Sequence, residues 1–160
     1  MNLSDLIKYG IIKKDITISA GFAIFNNLNK ILLLKPTGTG LKDNMWTVPK
    51  GHVDINDNNI ISTAIRETFE ECGIQINTNE VDDKDFFLIS YKDKKDKVYK
   101  YIVVFFYNIN SNINYIEENM LQLEEVEKGE FYNIEEAKDK IFYKQKPLIN
   151  YIIENKLNKK

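Results

Sequence analysis

The sequence predicts an α/β or α+β domain built on a mixed β-sheet. Three observations carry this expectation. Strand-like segments come first, one helical segment interrupts them, further strands follow, and helices close the chain. The longest apolar run, YIVVFFY from Tyr101 to Tyr107, is β-branched and aromatic and far too short to span a membrane as a helix. The 160 residues, 43% of them hydrophobic, suffice for one domain with a core of ordinary size, so the whole chain, 1–160, is read as a single domain.

Residues 16–25 (ITISAGFAIF) alternate loosely and read as the first strand. Asn26, Asn27 and Asn29 mark a turn, and ILLL from Ile31 begins the second strand. Residues 35–44 form a Pro/Gly loop, followed by a short WTV strand at 46–48 and then Pro49. An Asp/Asn-rich loop leads to a helix over 60–72, with Asn58 or Asn59 as its cap and Gly73 as its stop. Ile61, Ala64, Ile65, Thr68 and Cys72 share one side of it at 3.6-residue spacing. Short strands are expected near 74–76 and at 86–91, a charged hairpin loop at 93–97, and the strongest strand at 98–107. The Asn-rich stretch 111–114 is a loop, 130–132 a short strand, and 134–142 and 147–157 two helices, the second opened by Pro147.

Composition excludes several classes of function. With 22 basic and 24 acidic side chains, the net charge of −2 lacks the cationic surplus of a DNA-coating protein. The single cysteine, Cys72, forbids an internal disulfide and a multi-thiolate metal site, and fits a cytoplasmic setting. The N-terminal MNLSDLIKYG lacks the basic-then-apolar pattern of a secretory signal. The only Arg, Trp, His and Cys (Arg66, Trp46, His52 and Cys72) all fall between positions 46 and 72, which directs attention there.

Glu67, Glu70 and Glu71, spaced i, i+3, i+4, share a helical face about opposite the apolar stripe. Like charges so placed cost a few tenths of a kcal/mol per pair (roughly 0.2–0.5), and either solvent or a hard cation must offset that. Mg²⁺ takes one or two carboxylates together with substrate phosphates. Arg66 is suited to hold a carboxylate through bidentate hydrogen bonds.

The segment GHVDINDNNIISTAIRETFEECGI, Gly51 to Ile74, resembles the Nudix box, G-x5-E-x7-R-E-U-x-E-E-x-G-U, with U a bulky apolar residue. Gly51, Arg66, Glu67, Glu70, Glu71, Gly73 and Ile74 match it. Three departures stand out: Asp57 replaces the first Glu, eight residues rather than seven separate it from Arg66, and Thr68 occupies a U position. The extra residue is expected to lengthen the loop, because an insertion within the helix would rotate the acids away. WTVPKGHVD followed by RETFEECGI is similar to the asymmetrically cleaving diadenosine tetraphosphate hydrolases, in which Thr at position 68 is a match. FYNIEEA, Phe131 to Ala137, resembles a later family segment preceded by a functional Glu, which places Glu125 among the candidates.

This resemblance implies a Nudix-type α/β/α sandwich around a central mixed sheet. It implies hydrolysis of a pyrophosphate bond with Mg²⁺ or Mn²⁺ held by Gly51, Glu67, Glu70 and Glu71. Glu67, Glu70, Arg66 and Glu125 form the catalytic set, with Glu67 or Glu125 accepting the proton of the attacking water. Lys50, His52 and Tyr101 are the substrate-binding candidates, and Tyr91 and Tyr99 are further candidates for stacking on a base. The leading substrate is diadenosine tetraphosphate, cleaved to ATP and AMP. Alternatives are a nucleoside triphosphate, a capped RNA 5′ end, a catalytically silent nucleotide-binding module, and a purely structural partner protein.

Overall fold

The computed structural model describes residues 2–54, 57 and 59–157. The chain opens with a short helix, α1 (Leu3–Lys8), which the sequence pattern does not announce. Six residues are too few to display a period, and a capping box starts the helix: the Asn2 side chain accepts from the Asp5 N–H at 2.9 Å. Leu6 seats it in the core.

Strand β1 (Thr17–Phe25) is the centre of the sheet and is buried on both faces, which is why its alternation is loose. Ile18, Ala20, Phe22 and Ile24 face one core, while Ala23 and Phe25 face the other. A turn joins it to antiparallel β2 (Ile31–Pro36). The buried Asn26 side chain accepts there from the Leu28 and Lys30 N–H groups, each at 3.0 Å, and Asn29 takes the left-handed conformation.

The next strand, β3 (Lys50–His52), lies beyond the expected WTV segment and pairs with β1, Gly51 opposite Ala20 and Lys50 opposite Gly21. Trp46 and Thr47 form only isolated bridges, to Ile141 and Leu34. Gly21 explains the shift. A Cβ there would lie 2.0 Å from the Pro49 carbonyl oxygen, so only glycine lets the two backbones approach.

Helix α2 (Ile60–Cys72) follows, within the expected bounds. The strand expected at 74–76 is absent; this stretch joins no ladder, although Ile76 is buried. Strands β4 (Phe86–Lys92) and β5 (Val98–Asn108) form a hairpin, and β5 runs parallel to β1. Strand β6 (Val126–Tyr132) is longer than the expected 130–132, because antiparallel pairing with β2 organises a stretch whose charges hide its period. Helices α3 (Ile134–Lys140) and α4 (Lys146–Ile152) close the fold, the latter running into a π-type turn at Ile153–Leu157.

The sheet order is β4-β5-β1-β2-β6, with β3 beside β1. One core, which takes in Ile60, Ile61, Ala64 and Cys72, packs α2 on one face. The other, built on Trp46, Ile102, Ile141, Leu148 and Ile152, packs α3 and α4 on the opposite face. This is the expected sandwich around a mixed sheet. Among the described residues no helix is long and apolar enough to cross a membrane.

Candidate active site

Helix α2 starts where Asn59 caps it, its side chain accepting from the Ile61 N–H at 3.1 Å; the alternative cap, Asn58, lies outside the described residues. Gly73 ends it in the left-handed conformation, φ 76°, donating to the Phe69 carbonyl at 2.8 Å. These ends set where the acids fall along the helix, and packing against β3 sets where they point.

The three acids do not all project away from the apolar stripe. Glu70 does, but Glu67 and Glu71 flank the stripe and turn toward β3. Glu71 Oε1 accepts from the Lys50 N–H at 2.8 Å. The Glu67 carboxyl lies over Gly51, where a Cβ would be 2.0 Å from its carboxyl carbon. One Arg66 nitrogen, Nη1, donates to Glu67 Oε1 at 3.1 Å and to Glu70 Oε1 at 3.4 Å. Arg66 therefore bridges two carboxylates through one nitrogen rather than clamping one with its planar fork.

Burial pushes the Glu67 carboxyl above the ordinary carboxylate range, the charge of Glu70 adds to this, and Arg66 opposes it. Burial pushes Glu71 up to about 7, against the bond from Lys50. The charge of Glu125 adds a smaller upward push to both. The backbone ties the Glu125 loop to α2 and to the residue after β2. The Gln122 N–H donates to the Glu71 carbonyl at 3.0 Å, and the Thr37 N–H donates to the Glu125 carbonyl at 2.9 Å. Of the neighbouring acids, Glu127 pairs instead with Lys35 at 3.7 Å.

Asp57 has a local task. Its Oδ2 accepts from the Asp54 N–H at 2.9 Å and from the Thr63 hydroxyl at 2.8 Å, and these two bonds hold it below the usual carboxylate range. It ties the loop to the first turns of α2.

Among the described residues, no three His, Cys, Asp or Glu side chains gather closely enough to form a ready-made metal cage. The donors nevertheless suit a hard divalent cation. Glu67, Glu70, Glu71 and the Gly51 carbonyl are all oxygen donors, and the bare Cα of Gly51 leaves room for the Glu67 carboxyl.

Lys50, next to Gly51 on β3, alternates to the other face of the sheet. Lys100, opposite Tyr91 in the β4–β5 ladder, shares that face. Burial, and then the nearby Lys50 charge, lower the Lys100 ammonium from its ordinary value. His52 is exposed on β3, opposite Ser19.

Tyr101 is not on this face. It is 6% exposed in the core beneath α2, so the expectation that it contacts substrate is corrected. Strand alternation assigns it inward, a parity that the run of apolar residues obscures. Tyr99 is the exposed ring. The register shift between Tyr91 and Lys92 leaves Tyr99 without an opposite number, and its ring stands edge-on to Tyr91 at 6.1 Å. Lys144 donates to its hydroxyl at 2.7 Å.

The sequence analysis did not single out Lys100, although a lysine within an otherwise apolar alternation was an available signal. Cys72 is buried at the end of α2, where burial pushes its thiol up to about 12, in keeping with a core role.

Fold and site together define a Nudix-type phosphoanhydride hydrolase: an acid-rich helix laid against a glycine strand at the edge of a mixed sheet. A family profile described as NUDIX domain matches residues 15–152, and the chain belongs to that family of hydrolases of nucleoside diphosphate derivatives. No curated protein matches it in sequence. Among solved structures it is similar to an Ap4A hydrolase binary complex from C. elegans, with TM-score 0.67 and 23% identity over 87% of this chain and 96% of that one. It is also similar to a MutT protein from Methanosarcina mazei, with TM-score 0.63 and 19% identity over 91% and 99% of the two chains. A third is the NUDIX domain of Shewanella oneidensis NrtR complexed with ADP ribose, with TM-score 0.64 and 12% identity over 96% and 98%. At these identities the likeness concerns the fold alone.

Proposed function

We propose that this chain hydrolyses diadenosine tetraphosphate to ATP and AMP, acting as a single domain in the cytoplasm with Mg²⁺ or Mn²⁺. The observation that carries the reading is the placement of Glu67 and Glu71 over β3, with Lys50 and Lys100 behind it and the Tyr99 ring at the rim. This arrangement offers a cation-binding edge, a phosphate-binding strip and a stacking surface in sequence. The fold likeness to an Ap4A hydrolase supports the same substrate.

Glu67, Glu70, Glu71 and the Gly51 carbonyl would hold the divalent ion. When bound, it would supply neutralisation of phosphate charge and acidification of water. Glu125 or Glu67 accepts the proton as the water oxygen attacks phosphorus, and the departing nucleotide carries away the bridging oxygen. Arg66 keeps Glu67 and Glu70 together despite their repulsion. Lys50 and Lys100 bind phosphates beyond the scissile bond, Tyr99 stacks on a base, and exposed His52 is available as a hydrogen-bonding partner.

Incubation with diadenosine tetraphosphate and Mg²⁺, followed by ion-exchange separation, tests this directly. ATP plus AMP is the expected result. Two ADP would assign a different cleavage position. No product with either ion would refute the substrate and turn attention to nucleoside triphosphates, capped RNA, or binding without turnover. Glu70→Gln should remove most of the activity, and unchanged turnover would sink the metal assignment.

A further inference from the structure

Gln145, in the turn between α3 and α4, is fully buried, and both ends of its amide are bonded. The Val48 N–H donates to its Oε1 at 3.3 Å, and its Nε2 donates to the Tyr91 hydroxyl at 2.8 Å. A backbone N–H only donates, so the amide orientation is fixed and the tyrosine must accept. The two partners belong to different parts of the site. Val48 lies two residues before Lys50, while Tyr91 is the largely buried ring against which Tyr99 stands. Lys100 Nζ is 5.4 Å from the Tyr91 ring centroid, and Lys144 Nζ is 5.9 Å from it.

The same junction also carries exposed lysine contacts, Lys140 Nζ donating to Asp43 Oδ2 at 2.6 Å and Lys144 Nζ to the Lys92 carbonyl at 3.0 Å, and a backbone ladder. The Trp46 N–H donates to the Lys140 carbonyl at 3.1 Å, and the Phe142 N–H to the Trp46 carbonyl at 2.8 Å. Gln145 is the last rung of that ladder, and its buried amide ties the ladder to the Tyr91 hydroxyl on β4. An apolar side chain there would fill the space but leave the Val48 N–H and the Tyr91 hydroxyl without this partner.

We propose that Gln145 is a positioning residue for nucleotide recognition: it fixes the Tyr91–Tyr99 wall at a set distance from the strand that carries Lys50. It governs how tightly the nucleotide is held and leaves bond breaking to the acids of α2. This rests on the hydrolase reading above, in which the Tyr99 side of the sheet receives the base.

The test compares wild type with Gln145→Met, which keeps length and removes both bonds, and with Tyr91→Phe, which removes one oxygen from the other end and keeps the ring. Steady-state hydrolysis of diadenosine tetraphosphate and calorimetric binding of ADP are both measured. Both variants should raise KM and weaken ADP binding about tenfold, with kcat within about twofold of wild type. The double variant should be no worse than the poorer single one, because both remove the same link. A lower Tm with unchanged KM and ADP affinity would overturn the inference and leave Gln145 a purely structural residue. Should Gln145→Met not fold, Tyr91→Phe decides by the same two readouts. If wild type binds ADP but does not hydrolyse the substrate, the hydrolase reading fails, and the ADP affinities alone decide the role of Gln145. If wild type neither hydrolyses nor binds, both proposals fall.

Discussion

Gly51→Ala is the sharpest single perturbation of the site. The added Cβ would sit 2.0 Å from Cδ of Glu67 and 2.2 Å from both its Cγ and its Oε2, where about 3.5 Å is the ordinary contact. Gly51 lies in a strand and not in the left-handed region, so its backbone accepts alanine. The clash is therefore with the flexible end of a side chain, and Glu67 relieves it by swinging away. That costs about 1 kcal/mol for an altered rotamer, plus little for a half-exposed contact with Arg66. A Tm lowered by only about 2–4 °C is expected for a domain of this size. Turnover should suffer far more, because displacing a working group by about 1 Å can cost roughly 10²-fold.

Gly21→Ala supplies the contrast. Its Cβ would meet the Pro49 carbonyl oxygen at 2.0 Å and Lys50 Cα at 2.9 Å, both backbone atoms that cannot step aside. That variant should lose about 1–3 kcal/mol or more of stability. Phosphoanhydride hydrolysis and thermal unfolding measured on both proteins separate the two effects. Gly51→Ala with activity within about threefold of wild type would refute the assignment of Glu67 to the reacting centre.

Two further outcomes concern the core beneath the acids. Thr68 is fully buried, and its hydroxyl has no hydrogen-bond partner among the described residues, so Thr68→Val should stabilise the fold by about 1–2 kcal/mol; thermal or urea unfolding checks this, and a loss of stability would refute it. Cys72 is 1% exposed, so the native protein should leave Ellman's reagent unreacted, whereas unfolding in guanidinium should release one thiol per chain; rapid native labelling would contradict the packing of α2.

The sequence made some elements plain for identifiable reasons. Helix α2 was legible to the residue because cap, period and stop agree: Asn59, then the stripe through Cys72, then Gly73. Strand β1 was legible because β-branched and aromatic residues dominate it. The displacement of β3 from 46–48 to Lys50–His52 was hidden, because the deciding contact is Gly21 against Pro49, a pairing across the sheet with no local sign. The orientation of the acids was half legible. Spacing puts Glu67, Glu70 and Glu71 on neighbouring positions, but which of them turns inward depends on how α2 lies against β3. Of the tyrosines offered for stacking, Tyr101 turns into the core and Tyr99 stays exposed, a distinction hidden in the sequence because a bulge interrupts the alternation at Tyr99.

The eight-residue spacing between Asp57 and Arg66 is tolerable because α2 takes its rotation from β3 rather than from the loop that precedes it. Two contacts fix that rotation: Glu71 on the Lys50 N–H, and Glu67 over the bare Cα of Gly51. Both lie on the C-terminal half of the helix, beyond the reach of a change before Asn59. Asp57 then needs only to tie the loop to Thr63, which its shorter side chain does at 2.8 Å. The same logic extends to Glu125, whose loop hangs from the Glu71 carbonyl through Gln122. The acids are thus positioned by β3 and by α2 resting on it, so changes at Gly51 should matter more to catalysis than changes of length in the loop between Val53 and Asn59.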